Sequence, residues 1–255
     1  MVAFQAAPLS MPALDPSELH VWKSHADEKL TARWSGRLLP EWEIERSGRF
    51  RFKQDRLTFL SARMVLRLLL SGYTGVGPKD LRIGPDESGK LHLESEEGAP
   101  RIEFNHAHSG ELILLAFALG RKVGVDVEWL REEMPYKEIA ERVLSPGERQ
   151  WVDSLAPDSR GEWLVRTWVR KEAYLKARGT GLSVPLEEIR AVGGREGPVS
   201  GRIVVDAGQD DRHWEVQDLE LGHGCLGAVA AEGGYSCVNC WNWSQDACAG
   251  LKPAG

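Results

Sequence analysis

The chain of 255 residues has no apolar run that reaches the roughly 18 residues a membrane-spanning helix needs, so no such helix is expected. Its first stretch, MVAFQAAPLSMPALDPSELH, lacks a basic start followed by a long apolar segment, which argues against a secretory signal. Cysteine is scarce. There are four, and three of them (Cys237, Cys240, Cys248) crowd toward the C-terminus, which is no disulfide framework for a chain this size. Cys237-x-x-Cys240 also lacks the paired spacing and fourth ligand of a zinc site. Cytoplasmic residence is the expectation. The Gly-x4-Gly-Lys-Ser/Thr pattern of a P-loop is missing, as are zinc-finger, RRM and KH signatures.

The formal net charge is −6 and 27% of residues are charged, ordinary values for a globular protein with one large domain or two small ones. Against this acidic background, Arg46, Arg49, Arg51, Lys53, Arg56, Arg63 and Arg67 form a local basic run. It is either a solvated helix face or an island suited to an anionic ligand. Leu57, Leu60, Met64, Val65, Leu68 and Leu69 give the same stretch helical periodicity. Residues 1–20 read as a flexible or strand-like lead-in, because Pro8, Pro12 and Pro16 oppose a helix. Trp22 to Leu39 is ambiguous.

Short strands are expected at Leu81–Ile83 and Leu91–Leu93, with Ser88-Gly89-Lys90 in the turn between them. There Gly89 would let a backbone come close and Lys90 would reach a phosphate. FNHAHSG (Phe104–Gly110) leads into the apolar strand Leu112–Leu119. His106 and His108 are either exposed loop residues or, for His108, a donor to phosphate; further zinc ligands are not evident nearby. In Val123–Glu128, VGVDVE, the valines alternate with Gly124, Asp126 and Glu128, as a half-buried strand requires. Two carboxylates side by side repel unless a cation joins them, and oxygen ligands of this kind suit Mg²⁺. An edge strand with a polar outer face is the plainer alternative.

Ser145-Pro146-Gly147-Glu148 fits a helix start with Glu148 closing a capping box. In WVRKEAYLKARGTGL (Trp168–Leu182), Trp168, Glu172 and Lys176 are four apart in turn, and so share one helix face. Val165, Val169, Ala173 and Tyr174 supply a core-facing stripe, and Gly179 and Gly181 read as the stop. Alone, Glu172 and Lys176 would be a surface ion pair worth about 0.3–0.5 kcal/mol. From Ile189 to Glu232 strand-like runs alternate with turns, as in an antiparallel sheet. The Cys- and Trp-rich residues 236–255 follow Gly233-Gly234 and are expected to form a flexible, dispensable tail.

Taken in order, the basic helix start, Gly89-Lys90, FNHAHSG, Gly124-Val125-Asp126-Val127-Glu128 and Trp168-x-x-Lys171-Glu172-Ala173-x-x-Lys176 resemble the 4′-phosphopantetheinyl transferase superfamily, in its long, single-chain Sfp-like branch. Motif by motif the resemblance covers about Arg46 to Pro185. It implies transfer of the phosphopantetheine arm of coenzyme A (CoA) to a serine of an apo acyl or peptidyl carrier protein. It makes Asp126, Glu128 and Glu172 the Mg²⁺ group and sets Lys176 on the CoA phosphates. It puts Ser88, Gly89, Lys90, Asn105 and His108 at the nucleotide end, and Arg46 at the 3′-phosphate. Glu148 falls where a glutamate has been proposed as the base, so that Glu148 and Lys176 would be the catalytic pair. Two departures stand out: Ala107 replaces a serine of the family pattern, and Leu91 follows Lys90 where the family usually has proline.

The resemblance further implies an α+β fold of two similar halves, each a small, mainly antiparallel sheet packed with a helix, with the active site in the cleft between them. Residues 1–120 would form the nucleotide-binding half and 121–235 the metal-binding half; no internal repeat is visible in the sequence. A monomer without nucleic-acid or membrane partners is expected. Two rivals remain at this point. One is an inactive CoA- or carrier-binding module of the same fold. The other is a nucleic-acid-binding module resting on Arg46–Arg67 alone.

Overall fold

A computed structural model of the chain describes residues 1–87, 89–95, 101–131, 133–181, 184–191, 201–208, 212–222 and 224–244. Two short strands, β1 (Val2–Ala3) and β2 (Gln5–Ala6), precede β3 (Glu18–His25). Then come α1 (Glu28–Leu38), α2 (Glu41–Ser47) and α3 (Lys53–Thr74). The hairpin β4 (Ile83–Pro85) and β5 (Leu91–Leu93) leads to the antiparallel pair β6 (Ile102–Ser109) and β7 (Leu112–Leu119). A second series follows a similar order with one strand fewer: β8 (Val123–Trp129), α4 (Tyr136–Val143), α5 (Pro146–Ser154), α6 (Pro157–Arg178), β9 (Arg202–Val204), β10 (Trp214–Glu220) and β11 (Cys225–Glu232). A final strand, β12 (Cys237–Asn242), closes the described chain.

Local chemistry explains the helix ends. Asp27 caps α1 by accepting the Leu30 N–H at 2.8 Å, which satisfies one of the free donors of the first turn. Ser145 and Glu148 form the expected capping box on α5. The two long helices, α3 and α6, are each 22 residues and each stop at a glycine of positive φ, Gly75 (73°) and Gly179 (77°). Side chains rarely adopt that conformation, so glycine supplies the stop.

The strands form two main sheets. One runs β2-β12-β3-β7-β6; the other runs β1-β10-β11-β8, with β9 also on β10. Alternation along the strands gives each sheet two apolar faces. Val21, Leu114 and Ala116 of the first sheet meet Val123, Val125 and Val229 of the second in a shared central core. The other face of the first sheet, with Trp22, Phe104 and Leu115, packs on α3. The other face of the second, with Ala228 and Ala230, packs on Val169, Ala173 and Ala177 of α6. The layers are therefore helix, sheet, sheet, helix, which is the α+β pair of halves expected. The strands β6 and β8 are the sheet edges that come together.

Three expectations are corrected. The tail beginning at 236 is not loose over its described part. β12 is an interior strand, parallel to both β2 and β3, with Val238 and Cys240 buried in the central core. Residues 245–255, with Cys248, lie outside the described residues. The chain ends also cross the division near residue 120, since β1 pairs with β10 of the second half and β12 with β3 of the first. Finally, the basic run is not one solvated island. Arg63 and Arg67 are buried and donate to the buried carboxylate of Glu43, and Arg67 also bonds the carbonyls of Pro78 (2.7 Å) and Leu81 (3.1 Å). Arg46, Arg49, Arg51, Lys53 and Arg56 remain exposed.

Candidate active site

Gly124 sets the geometry. A Cβ built on it would lie 2.2 Å from the Ala173 carbonyl oxygen and 2.3 Å from the Ala177 nitrogen, both backbone atoms of α6. Only a residue without a Cβ lets the helix lie directly on the strand. Asp126 and Glu128 follow on the same face of β8, so Asp126 meets α6 one step along from the contact. There Lys176 Nζ donates to Asp126 Oδ1 at 2.6 Å. Glu172, one helical turn earlier, accepts a bond from the Trp168 side chain. The shared face of Trp168, Glu172 and Lys176 is thus observed.

The electrostatics are those of a crowded anionic pair with one cation. Burial raises the pKa of Asp126 above the usual carboxylate range, although Lys176 pulls it back. Burial also raises Glu172, and the charge of Asp126 adds to the effect. Glu128 weighs on Asp126 in the same sense, but its own carboxylate is 3.2 Å from Arg131. The three proposed metal carboxylates are therefore not drawn together equally. Asp126 and Glu172 are neighbours, Glu128 stands further along the strand, and among the described residues no three His, Cys, Asp or Glu side chains close on one point. Two hard oxygen donors fit Mg²⁺, which commonly takes one or two carboxylates and completes its shell with water and substrate phosphate.

On the other side of the cleft, His106 and His108 lie on the α3-facing side of β6. His106 is driven down to about 3 by burial first, then by Arg63, Lys176 and His108. His108, only partly covered, is also lowered, by partial desolvation and then by Lys176; Asp55 and Glu128 oppose that. Arg46 in turn disfavours the charge on Arg63. The His106 ring is therefore neutral, and the charge of Arg63 is met by Glu43, which leaves Lys176, bonded to Asp126, and the exposed Arg46 as the cations on either side. Sequence reading left His106 without a role; the dipeptide spacing was visible, but its cationic surroundings come from α3 and α6.

Other expected residues have different surroundings. Lys90 Nζ donates to the carbonyls of Val123 (3.0 Å) and Ala177 (3.2 Å). Asn105 Oδ1 accepts the Val125 N–H at 3.0 Å. Gly89 takes φ 85° in its turn, whereas Ser88 lies outside the described residues. Glu148 departs from the catalytic expectation. It is buried, with Oε2 accepting Lys171 Nζ at 2.5 Å and Ser145 N at 2.8 Å, and Oε1 accepting Ala191 N at 3.0 Å. A carboxylate neutralised by a buried ammonium and bonded on both oxygens is a poor proton acceptor. Lys171 itself also bonds the carbonyls of Val143 and Leu186, so the pair fastens α5 and the segment after α6 to the helix.

Two carboxylates and a lysine at the seam of paired α+β halves are an arrangement that can, with a divalent cation, meet an anionic ligand such as a phosphate. Comparison with known proteins agrees and goes further. Residues 122–237 match the model of the 4′-phosphopantetheinyl transferase superfamily, and residues 21–119 match that of the 4′-phosphopantetheinyl transferase N-terminal region. The chain is 31% identical to 4′-phosphopantetheinyl transferase HetI of Nostoc sp., over 85% of this chain and 88% of that one. It is 30% identical to the putative transferase slr0495 of Synechocystis sp., over 79% of each. To 4′-phosphopantetheinyl transferase Sfp of Bacillus subtilis it is 28% identical, over 61% of this chain and 67% of that one. The chain belongs to the 4′-phosphopantetheinyl transferase superfamily.

Proposed function

We propose that this protein transfers the 4′-phosphopantetheine group of CoA to a serine of an apo carrier protein, with Mg²⁺, as a cytoplasmic monomer. The observation that carries the reading is the junction of Asp126, Glu172 and Lys176 across β8 and α6, with Arg46 exposed on the first half. CoA is a pyrophosphate with a distant 3′-phosphate, which matches a site with cations at both ends. Asp126 and Glu172 would hold Mg²⁺, with Glu128 in reserve; bound there, the ion neutralises pyrophosphate charge. Lys176 supplies a fixed positive charge to the same phosphates, and His108 a hydrogen bond. Arg46, exposed on α2, suits the 3′-phosphate.

The carrier serine Oγ forms a new bond to the β-phosphorus of CoA. The bond from that phosphorus to the bridging oxygen breaks, and adenosine 3′,5′-bisphosphate leaves with that oxygen. The serine proton passes to a carboxylate. With Asp126 and Glu172 engaged as ligands, Glu128, further along β8, would receive it. Such transfer depends on positioning and charge more than on covalent chemistry by the protein.

The test is incubation with CoA, Mg²⁺ and a panel of apo carrier proteins, read by intact mass. The wild-type protein should add one phosphopantetheine per carrier, and Asp126→Ala and Glu172→Ala should add none. No mass gain on any carrier, or either variant working at the wild-type rate at limiting Mg²⁺, would overturn the reading.

A further inference from the structure

The strand that bears Asp126 and Glu128 has an open edge. On one side β8 is bonded to β11 throughout; on the other it faces β6 of the first half without a strand ladder. An unpaired edge this close to a buried core leaves backbone groups to satisfy. Side chains of the first half satisfy two of them, and a side chain of β8 reaches back to β6. Asn105 Oδ1 takes the Val125 N–H at 3.0 Å. The Lys90 ammonium takes the Val123 carbonyl at 3.0 Å. At the far end the Trp129 indole donates to the Ser109 carbonyl at 3.1 Å.

We propose that Lys90 and Asn105 are positioning residues that fasten β8 to the first half and thereby fix where Asp126 stands against α6. The proposal rests on the reading of Asp126, Glu172 and Lys176 given above. Lys90 carries the larger share. It bonds Val123 and, at 3.2 Å, the Ala177 carbonyl, so one ammonium clamps the start of β8 to the end of α6. The clamp sits beside Gly124, where strand and helix touch, and Ala177 is adjacent in sequence to Lys176. A cation among carbonyls near a helix C-terminus is also favoured by the helix dipole. A lysine held to meet a ligand phosphate would keep its ammonium free; this one spends two of its three donors inside the protein. Asn105 then sets the height of Val125, the neighbour of Asp126. The Lys90 ammonium and the Asn105 amide thus act on the reaction through β8.

The variants are Lys90→Met and Asn105→Leu, each beside a conservative partner, Lys90→Arg and Asn105→Asp, that keeps the donors or the acceptor. Both disruptive variants should lose about 10²-fold in kcat, with KM for CoA within about twofold of wild type and a higher Mg²⁺ requirement. The conservative partners should recover most of the loss. Hydrogen exchange of the Val125 amide gives a readout independent of activity: it should quicken in Asn105→Leu and stay slow in Asn105→Asp. A rise in KM for CoA with kcat unchanged, or Val125 exchange identical in all forms, would overturn the proposal. Asp126→Ala separates the two failures. If it retains turnover, the reading of the site is wrong. If it is inactive while Lys90→Met shows only the KM effect, the site stands and the positioning role falls.

Discussion

The two long helices pose the same structural problem and solve it differently. Set Gly75 on Gly179, and α3 overlays α6 position by position. Arg67 then matches Lys171, and each is buried on a carboxylate of the preceding short helix, Glu43 on α2 and Glu148 on α5. Each also bonds carbonyls of the segment after its helix. At the contact with the first strand the halves diverge. Where the second half has Gly124, Ala173 and Ala177, the first has His20, Leu69 and Tyr73, with His20 Nδ1 2.9 Å from the Tyr73 hydroxyl. Where the second has Asp126, Glu172 and Lys176, the first has Trp22, Leu68 and Gly72. Large side chains hold α3 off β3 and fill the gap with apolar core; small ones bring α6 onto β8 and leave a polar site. The far edge of β3 is covered by β12, whereas that of β8 is open to β6. One framework, twice used, yields a scaffold and an active site, and the difference lies in side-chain volume at the contact and in charge beside it.

The largest predicted effect concerns the covered edge. Deleting the chain from Ser236 onward removes β12 and exposes Val21 and the edge of β3. No cooperative thermal unfolding should remain; a truncated protein melting near wild type would show that β3 needs no partner there. Next come the matched ion pairs. Leaving a buried charge unpaired costs about 3–5 kcal/mol, so both Glu43→Gln and Glu148→Gln should destabilise in denaturant titrations, and Glu43→Gln, which strands two arginines rather than one lysine, should destabilise more. Below its unfolding range Glu148→Gln should keep its turnover. A fall in kcat with unchanged stability would break the parallel and restore Glu148 as the base.

Gly124→Ala tests the contact itself. Overpacking against backbone atoms that cannot rotate away should cost about 3 kcal/mol, and shifting α6 should lower kcat by about 10²-fold. His20→Ala, at the matching position, should leave turnover unchanged. Equal effects on catalysis would mean that the close approach does not shape the site.

The smallest effect is a gain. The folded-state pKa of Glu172 is raised, so above its unfolded value ionisation works against the fold, and that cost vanishes once both states are protonated. Glu172→Gln should therefore melt higher than wild type at about pH 8 without Mg²⁺ and converge with it near about pH 4. A lower melting temperature at the higher pH would remove the cost of burying the Glu172 charge beside Asp126 from the account.

Much of this was legible in the sequence, because it rests on local periodicity. Alternation in Val123–Glu128 and the spacing of Trp168, Glu172 and Lys176 determined one strand face and one helix face, and the cap at Ser145 determined where α5 begins. The tail was misread because β12 is short and its polar and aromatic residues resemble loop composition; only its place beside β3, far away in sequence, makes it a strand. Arg63 and Arg67 read as surface charge because their partner, Glu43, lies on another helix. Glu148 read equally well as cap or base until Lys171 appeared at 2.5 Å.

By itself, then, the sequence determined which residues share a face, since that follows from the fixed repeat of helix and strand. Which faces meet was decided by the tertiary structure alone. The approach of α6 to β8 depends on volumes at Gly124, Ala173 and Ala177, residues whose contact no local repeat encodes. The matching of α3 with α6 was equally hidden, because burial constrains size, charge pairing and backbone shape while leaving residue identity free to differ.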